Sequence, residues 1–341
     1  MNSWGNLLPY RLPNVSGKRL VDPHVVIIGA GASIAACPKD KHGRPLPSLR
    51  GISNLPEIAS ILSKHDFPND ELEDFELLFS NIYGKTEYAD LVQALELEIY
   101  NYFRKIELPD CITYYDYLVL SLTEKDAIIS FNWDPYLIQA YRRNMITGNL
   151  PRLIFPHGNV GVGVCYDCNQ VSFVDLPCPV CSKKLAAMPL LFPIGKKDYN
   201  SNPLIRDEWK LARDYLSRAN GITVFGYSAP ISDVEAFDLM KTAYLKSNVR
   251  EIAPFTIINT PRSKESQMEK WSEFFDRSMM IYCTSFEETI LWNNPRVSLE
   301  SLFDAILQQH PRTTSKPFKK FDKLSDLQEF VKTIDDFDLY I

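Results

Sequence analysis

Six short runs of consecutive apolar residues punctuate the chain: 25–28 (VVII), 127–131 (AIISF), 153–155 (LIF), 222–225 (ITVF), 255–258 (FTII) and 279–282 (MMIY). They are rich in β-branched or aromatic side chains. Uninterrupted apolar runs suit strands covered on both faces, as in a parallel sheet. Helical patterns lie between most of them, over 211–218 before the fourth run and 233–246 after it. This alternation predicts an α/β fold built on a doubly wound parallel sheet. Residues 54–125 break the rhythm. They are acidic and helical in pattern over 55–64, 71–83, 88–105 and 114–122, and read as a helical insertion between the first two strands. A second insertion spans about 160–190. The last part, about 288–341, is polar with short amphipathic helices. Ser325 and Gln328 are spaced for a capping box at a helix start. A helical cap on the domain is expected there, with an oligomer or partner surface as the other reading.

Composition sets outer limits. The 341 residues carry 37 basic and 43 acidic side chains, a net charge of −6, with 45% hydrophobic and 23% charged residues. Those are the proportions of a soluble globular protein. Without a basic excess, nucleic-acid binding is not indicated. No run approaches the roughly 20 apolar residues that cross a bilayer, so no membrane association is expected. The first nine residues lack the basic start and apolar core of a signal peptide, and the expected location is the cytoplasm. The seven cysteines, an odd number, do not suggest a disulfide framework.

Four of those cysteines form two CxxC pairs, Cys165/Cys168 and Cys178/Cys181, with nine residues between the pairs. Two such turns can aim four thiolates at one centre, a closed set suited to Zn²⁺. An iron–sulfur centre or four ordinary buried thiols are the alternatives. A closed site leaves no position for water or substrate, so its expected role is structural, in a module with little core of its own. Cys37, Cys111 and Cys283 lack such spacing and read as core or incidental thiols.

The first strand runs into Gly29-Ala30-Gly31-Ala32-Ser33. Glycines there let backbone amides approach a diphosphate at a helix start, although a tight turn without ligand uses glycine as well. The third glycine and the later acidic residue of a dehydrogenase fingerprint are missing. Three further strands end in polar groups: Asn132 and Asp134 after the second, His157-Gly158-Asn159 after the third, and Gly226-Tyr227-Ser228 after the fourth. Singly these read as helix caps, a structural histidine or a turn. Recurring beyond the carboxyl ends of parallel strands, they point to one ligand crevice.

In this order the motifs resemble the sirtuin family, and in particular the bacterial sirtuin-like NAD hydrolases of antiphage defence. The glycine loop Gly29–Ser33, Asn132 and Asp134 of an N-x-D, His157-Gly158, the paired CxxC motifs, Gly226-Tyr227-Ser228 and Ile258-Asn259 carry the resemblance over about residues 22–285. It implies a Rossmann-like catalytic domain over 20–287, a four-cysteine zinc ribbon and a C-terminal helical extension over 288–341. NAD would be the substrate and zinc a structural ion. Departures fall on the acyl-lysine side. Residues 46–51 only faintly match the family's arginine segment, where Arg50 stands nearest. Phe131 replaces a glutamine, and residues 191–196 replace the peptide-binding Phe-Gly-Glu.

The roles the resemblance implies are these. Gly29, Ala30, Gly31, Ala32 and Ser33 hold the diphosphate. Asp134 meets the nicotinamide carboxamide. Asn132 orients the ribose or attacking water. His157 accepts a proton, for which imidazole is suited at neutral pH. Gly226, Ser228 and Asn259 line the adenosine side. Three functions compete: NAD hydrolysis, NAD-dependent deacylation or ADP-ribosyl transfer, and a non-enzymatic nucleotide-sensing module. The lost peptide segment favours the first over the second. Retention of Asn132 and His157 weighs against the third. A free NADase would poison its own cell, so the resemblance also implies control by homo-oligomer assembly or by an ATPase partner from the same operon.

Overall fold

All six apolar runs pair side by side. In chain order the strands are β1 (Gly5–Asn6), β2 (His24–Ile28), β3 (Ala127–Ser130), β4 (Arg152–Ile154), β5 (Val162–Cys165), β6 (Gln170–Phe173), β7 (Ala186–Ala187), β8 (Gly221–Phe225), β9 (Pro254–Ile258) and β10 (Met279–Cys283). Six of them form one sheet in the order β10-β9-β8-β2-β3-β4, parallel throughout. β2, β3, β4, β8 and β9 are buried along their whole length, which is why they read as continuous apolar runs. The order is that of a Rossmann-like doubly wound sheet, with the connections reversing direction between β2 and β8. The computed structural model describes residues 5–6, 22–194, 199, 202–246, 253–274, 279–299, 302 and 316–334.

The helices are α1 (Ala30–Ala36), α2 (Pro56–Leu62), α3 (Asn69–Leu72), α4 (Phe75–Ile82), α5 (Ala89–Arg104), α6 (Tyr114–Ser121), α7 (Tyr136–Asn144), α8 (Pro203–Arg218), α9 (Val234–Leu245), α10 (Lys264–Trp271), α11 (Ile290–Asn293) and α12 (Leu324–Lys332). α2 to α6 make up the insertion between β2 and β3. Helix α5 buries Leu91, Leu95, Ile99 and Phe103, one residue per turn, each contributing about 1.5–3 kcal/mol of transfer free energy. The helix expected over 71–83 is two helices. Asp74 stops the first and caps α4, its carboxylate accepting from the amides of Glu76 and Leu77. Arg50 lies at the edge of the insertion, largely exposed, with its Nε 3.2 Å from Asp74 Oδ2.

The second insertion is a small sheet in the order β1-β6-β5-β7, antiparallel between β5 and β6 and between β5 and β7. It ties back to α7 through an Arg142–Asp175 ion pair of 2.6 Å and through Arg142 stacked over Phe173.

At the other end α12 buries Leu327 and Val331. The expected capping box is not formed. The helix starts one residue before Ser325, whose hydroxyl donates to the adjacent Asp326 carboxylate. Gln328 instead donates across to Arg143 O and Asn144 Oδ1 of α7, both at 3.0 Å, because docking offers it buried acceptors. The parts of the expected extension at 300–301, 303–315 and 335–341 lie outside the described residues.

At the start of β2, buried His24 has its Nε2 2.8 Å from Thr223 Oγ1 of β8. Burial brings its imidazole down to about 4 from the ordinary 6.5, against the pull of nearby Asp126 and with the push of Lys125. The unfolded chain therefore binds a proton that the folded one refuses. The neutral-His24 contribution is complete above pH 6.5 and is lost as pH falls toward 4. Between pH 7 and pH 4 the wild type is expected to lose about 3 kcal/mol more stability than His24→Gln, which keeps a partner for Thr223. Urea denaturation midpoints of both proteins across that range check this; parallel curves would refute it.

Candidate functional site

The site forms where β2 and β8 separate. Gly29 follows β2 and caps α1, and Gly226 follows β8 with φ of +59°. The two turns press backbone against backbone. Gly29 N donates to Phe225 O at 3.2 Å and Gly31 N to Gly226 O at 2.9 Å. A Cβ on Gly29 would stand 2.6 Å from Tyr227 Cα, and one on Gly226 only 2.1 Å from Ala32 N. These glycines are thus required for closure of the fold, and the amides of Gly29, Gly31 and Ala32 are engaged inside the protein. Ala30 and Gly31 form the exposed part of the loop.

One turn into α1, buried Ser33 meets the end of β3. Its Oγ donates to Asp134 Oδ2 at 2.7 Å and lies 2.6 Å from Tyr115 OH of α6. Asn132 Nδ2 donates to Gly29 O at 2.8 Å and lies 2.9 Å from Ser33 Oγ and 3.2 Å from Tyr115 OH. The other carboxylate oxygen of Asp134 accepts from the amide of Tyr136, opening α7. Burial pushes the Asp134 carboxyl up to about 6, although its bonds from Ser33 and Tyr136 favour the charged form. Burial, and then the charge of Asp134, raise the Tyr115 phenol well above its ordinary range. Asn159, fully buried, donates to the carbonyls of Asn132 and Asp134 and fixes the turn between them.

His157 follows β4 in a tight turn, with Gly158 at φ of +78°. Its ring stands edge-on to Phe131, centroids 4.8 Å apart, and Phe131 stacks on Tyr227 at 4.5 Å. His157 Nε2 is 3.9 Å from Asp233 Oδ1, and Tyr227 OH donates to Asp233 Oδ2 at 2.9 Å. The structure thus gathers Gly29, Ser33, Asn132 and Asp134 into one polar cluster and sets His157 beside it across Phe131. Ser228 is exposed, its carbonyl accepting from Lys270 Nζ. Asn259 Oδ1 accepts from the amide of Thr260. Among the described residues no hydrogen bond joins Ser228 or Asn259 to the Ser33 cluster. Both stand at the same edge of the sheet, past β8 and β9.

Sequence reading missed Tyr115, Tyr227 as a packing residue, and Asp233. Asp233 could be found as a buried acid opening a helix directly after a strand-end turn. Tyr115 had no such signal, because every residue of α6 from Tyr115 to Ser121 is buried and no face stands out.

The four CxxC sulfurs lie within 4.8 Å of one another, with Cys165 and Cys181 at 3.6 Å. A tetrahedral zinc with bonds of about 2.3 Å spaces its sulfurs by about 3.8 Å, so the set suits Zn²⁺. Left-handed Asn169 and Ser182 turn the two loops, and a Lys183–Asp167 ion pair of 2.7 Å bridges them. Burial opposes the thiolate of Cys178, but the amides of Cys181 and Val180 favour it and bring the thiol down to about 7 from its ordinary 9. Cys37 and Cys283 are buried and Cys111 is exposed.

No protein-family model and no curated protein matches the chain. Solved structures similar to it include a Sir2 homolog–NAD complex, 17% identical, covering 85% of this chain and 89% of that one, with a TM-score of 0.35. A structure on sirtuin substrate affinity is 16% identical over 85% of this chain and 95% of that one, with a TM-score of 0.39. Sir2 bound to acetylated peptide is 16% identical over 77% and 87%, with a TM-score of 0.36. The fold assignment rests on strand order and register, since these scores are below 0.5.

Two outcomes are expected. The purified chain should carry about one zinc and no iron by mass spectrometry, and Cys178→Ser should lose the zinc and open the module to protease. Gly226→Ala should destabilise by roughly 2 kcal/mol or more in denaturant titration, since a left-handed φ and a backbone clash act together.

Proposed function

We propose that the chain is an NAD⁺ hydrolase that cleaves the bond between nicotinamide and ribose. The observation that carries this reading is the convergence of Ser33, Asn132, Asp134 and His157, from three strand ends, on one edge of a doubly wound sheet. The exposed Ala30–Gly31 part of the loop meets the diphosphate, and Ser228 and Asn259 face the adenosine half. Loss of nicotinamide leaves an oxocarbenium-like centre, which buried carboxylates beside it stabilise. Asp134 is mostly ionised at neutral pH, since its carboxyl lies at about 6. Asn132 aligns the ribose or the attacking water, and His157 takes up the proton released. The apolar wall of Phe131, Tyr227 and Trp209 limits entry of stray water. Deacylation is the second reading, and the sequence at 191–196 weighs against it. Control by self-assembly or by an ATPase, as in antiphage defence, rests on the sequence resemblance alone.

The test is nicotinamide release from NAD⁺, followed by chromatography, with and without an acetyl-lysine peptide. Release without peptide is expected, with Asn132→Ala and His157→Ala each lowering it at least about 100-fold while zinc and fold are retained. Release only with peptide would establish deacylation instead. Either variant at full activity would remove its residue from the chemistry.

A further inference from the structure

Hydrogen-bond accounting around Ser33 leads past the residues named so far. Gly29 O can only accept, so the atom of Asn132 at 2.8 Å from it must be the amide nitrogen. That fixes which way the Asn132 amide is turned. Ser33 has one hydroxyl hydrogen, and it goes to Asp134 Oδ2. Ser33 Oγ therefore accepts from its other neighbours, and at 2.6 Å the Tyr115 hydroxyl must be the donor. The order Tyr115→Ser33→Asp134 has a single direction. The two hydrogens of Asn132 Nδ2 are drawn to Gly29 O and to the Ser33–Tyr115 oxygen pair. Its Oδ1 makes no hydrogen bond to any described residue, which leaves it as the atom of that side chain available to a ligand.

We propose that Tyr115 is a positioning residue of the site: its hydroxyl locks Ser33 and the Asn132 amide so that Asn132 presents Oδ1, a hydrogen-bond acceptor, to the substrate hydroxyl or water. This rests on the hydrolase reading for the identity of the ligand, but the locking itself does not. Tyr115 comes from the helical insertion, not from the sheet, and α6 is itself held rigidly. Thr113 and Asp116 form a capping box at its start. Asp116, fully buried, also accepts from Arg143 Nε at 2.6 Å and Asn144 Nδ2 at 2.8 Å. Tyr117 OH donates to Lys319 O and accepts from the amide of Phe321. Residues on both sides of Tyr115 are thus pinned, and the phenol stays a donor because burial and the charge of Asp134 keep it protonated.

Two measurements on the full chain test it. With ¹⁵N-asparagine labelling, the Asn132 side-chain amide is assigned by its loss in Asn132→Asp. Its proton exchange is expected to be slow in the wild type and at least about tenfold faster in Tyr115→Phe, the effect of one lost buried hydrogen bond. In the NAD assay the same variant is expected to lower kcat by about tenfold with KM within about twofold, because alignment of the reacting group is lost rather than binding. Should Tyr115→Phe fold poorly, Ser33→Ala breaks the same chain from its middle and should give the same exchange result. Unchanged Asn132 exchange in the variants would overturn the proposal. So would unchanged kcat in an active enzyme. If the wild type releases no nicotinamide, the hydrolase reading fails, and amide exchange still decides the role of Tyr115.

Discussion

The site depends on one contact, the close approach of two backbone turns where β2 and β8 part. Neighbouring parallel strands whose connections leave in opposite directions open a crevice at that point. Here the Gly29–Gly31 loop and the Gly226 turn narrow it to direct backbone contact. The contact sets the carbonyl of Gly29 where the Asn132 amide can reach it, and aims Ser33 at Asp134. It also delivers Tyr227 onto Phe131. Side chains from three segments are in register because two glycines lack a Cβ.

Around that contact Asp134 is met by neutral partners, while Asp233 faces both a phenol and the His157 ring. Asp134 is held by a hydroxyl and a backbone amide, and Asp233 takes a phenol. Bonds of this kind stabilise a carboxylate without cancelling its field. An arginine clamp would neutralise the carboxylates in advance. The zinc module plays no part in this. Its four sulfurs gather at the far end of β5.

The sheet was legible in the sequence because its strands are buried on both faces, so apolar runs such as VVII and FTII mark them directly. The polar strand ends were legible because Asn132, Asp134 and His157 interrupt that apolarity abruptly. Other features were hidden for physical reasons. The capping box at Ser325 failed because local spacing cannot register a competing acceptor on another helix, here Asn144. The glycine loop also binds the end of β8 through the amides of Gly29 and Gly31, a partner about 200 residues away in the chain that no local pattern exposes. Tyr115 was hidden in a helix with no exposed face to give it a period.

The His157 ring lies 6.2 Å from the Trp209 indole, centroid to centroid, and Phe131 packs against both. Protonated imidazole quenches indole emission, and neutral imidazole does so far less. The emission of Trp209 accordingly responds to whatever settles beside the His157 ring. The site has an optical gauge built from its own wall.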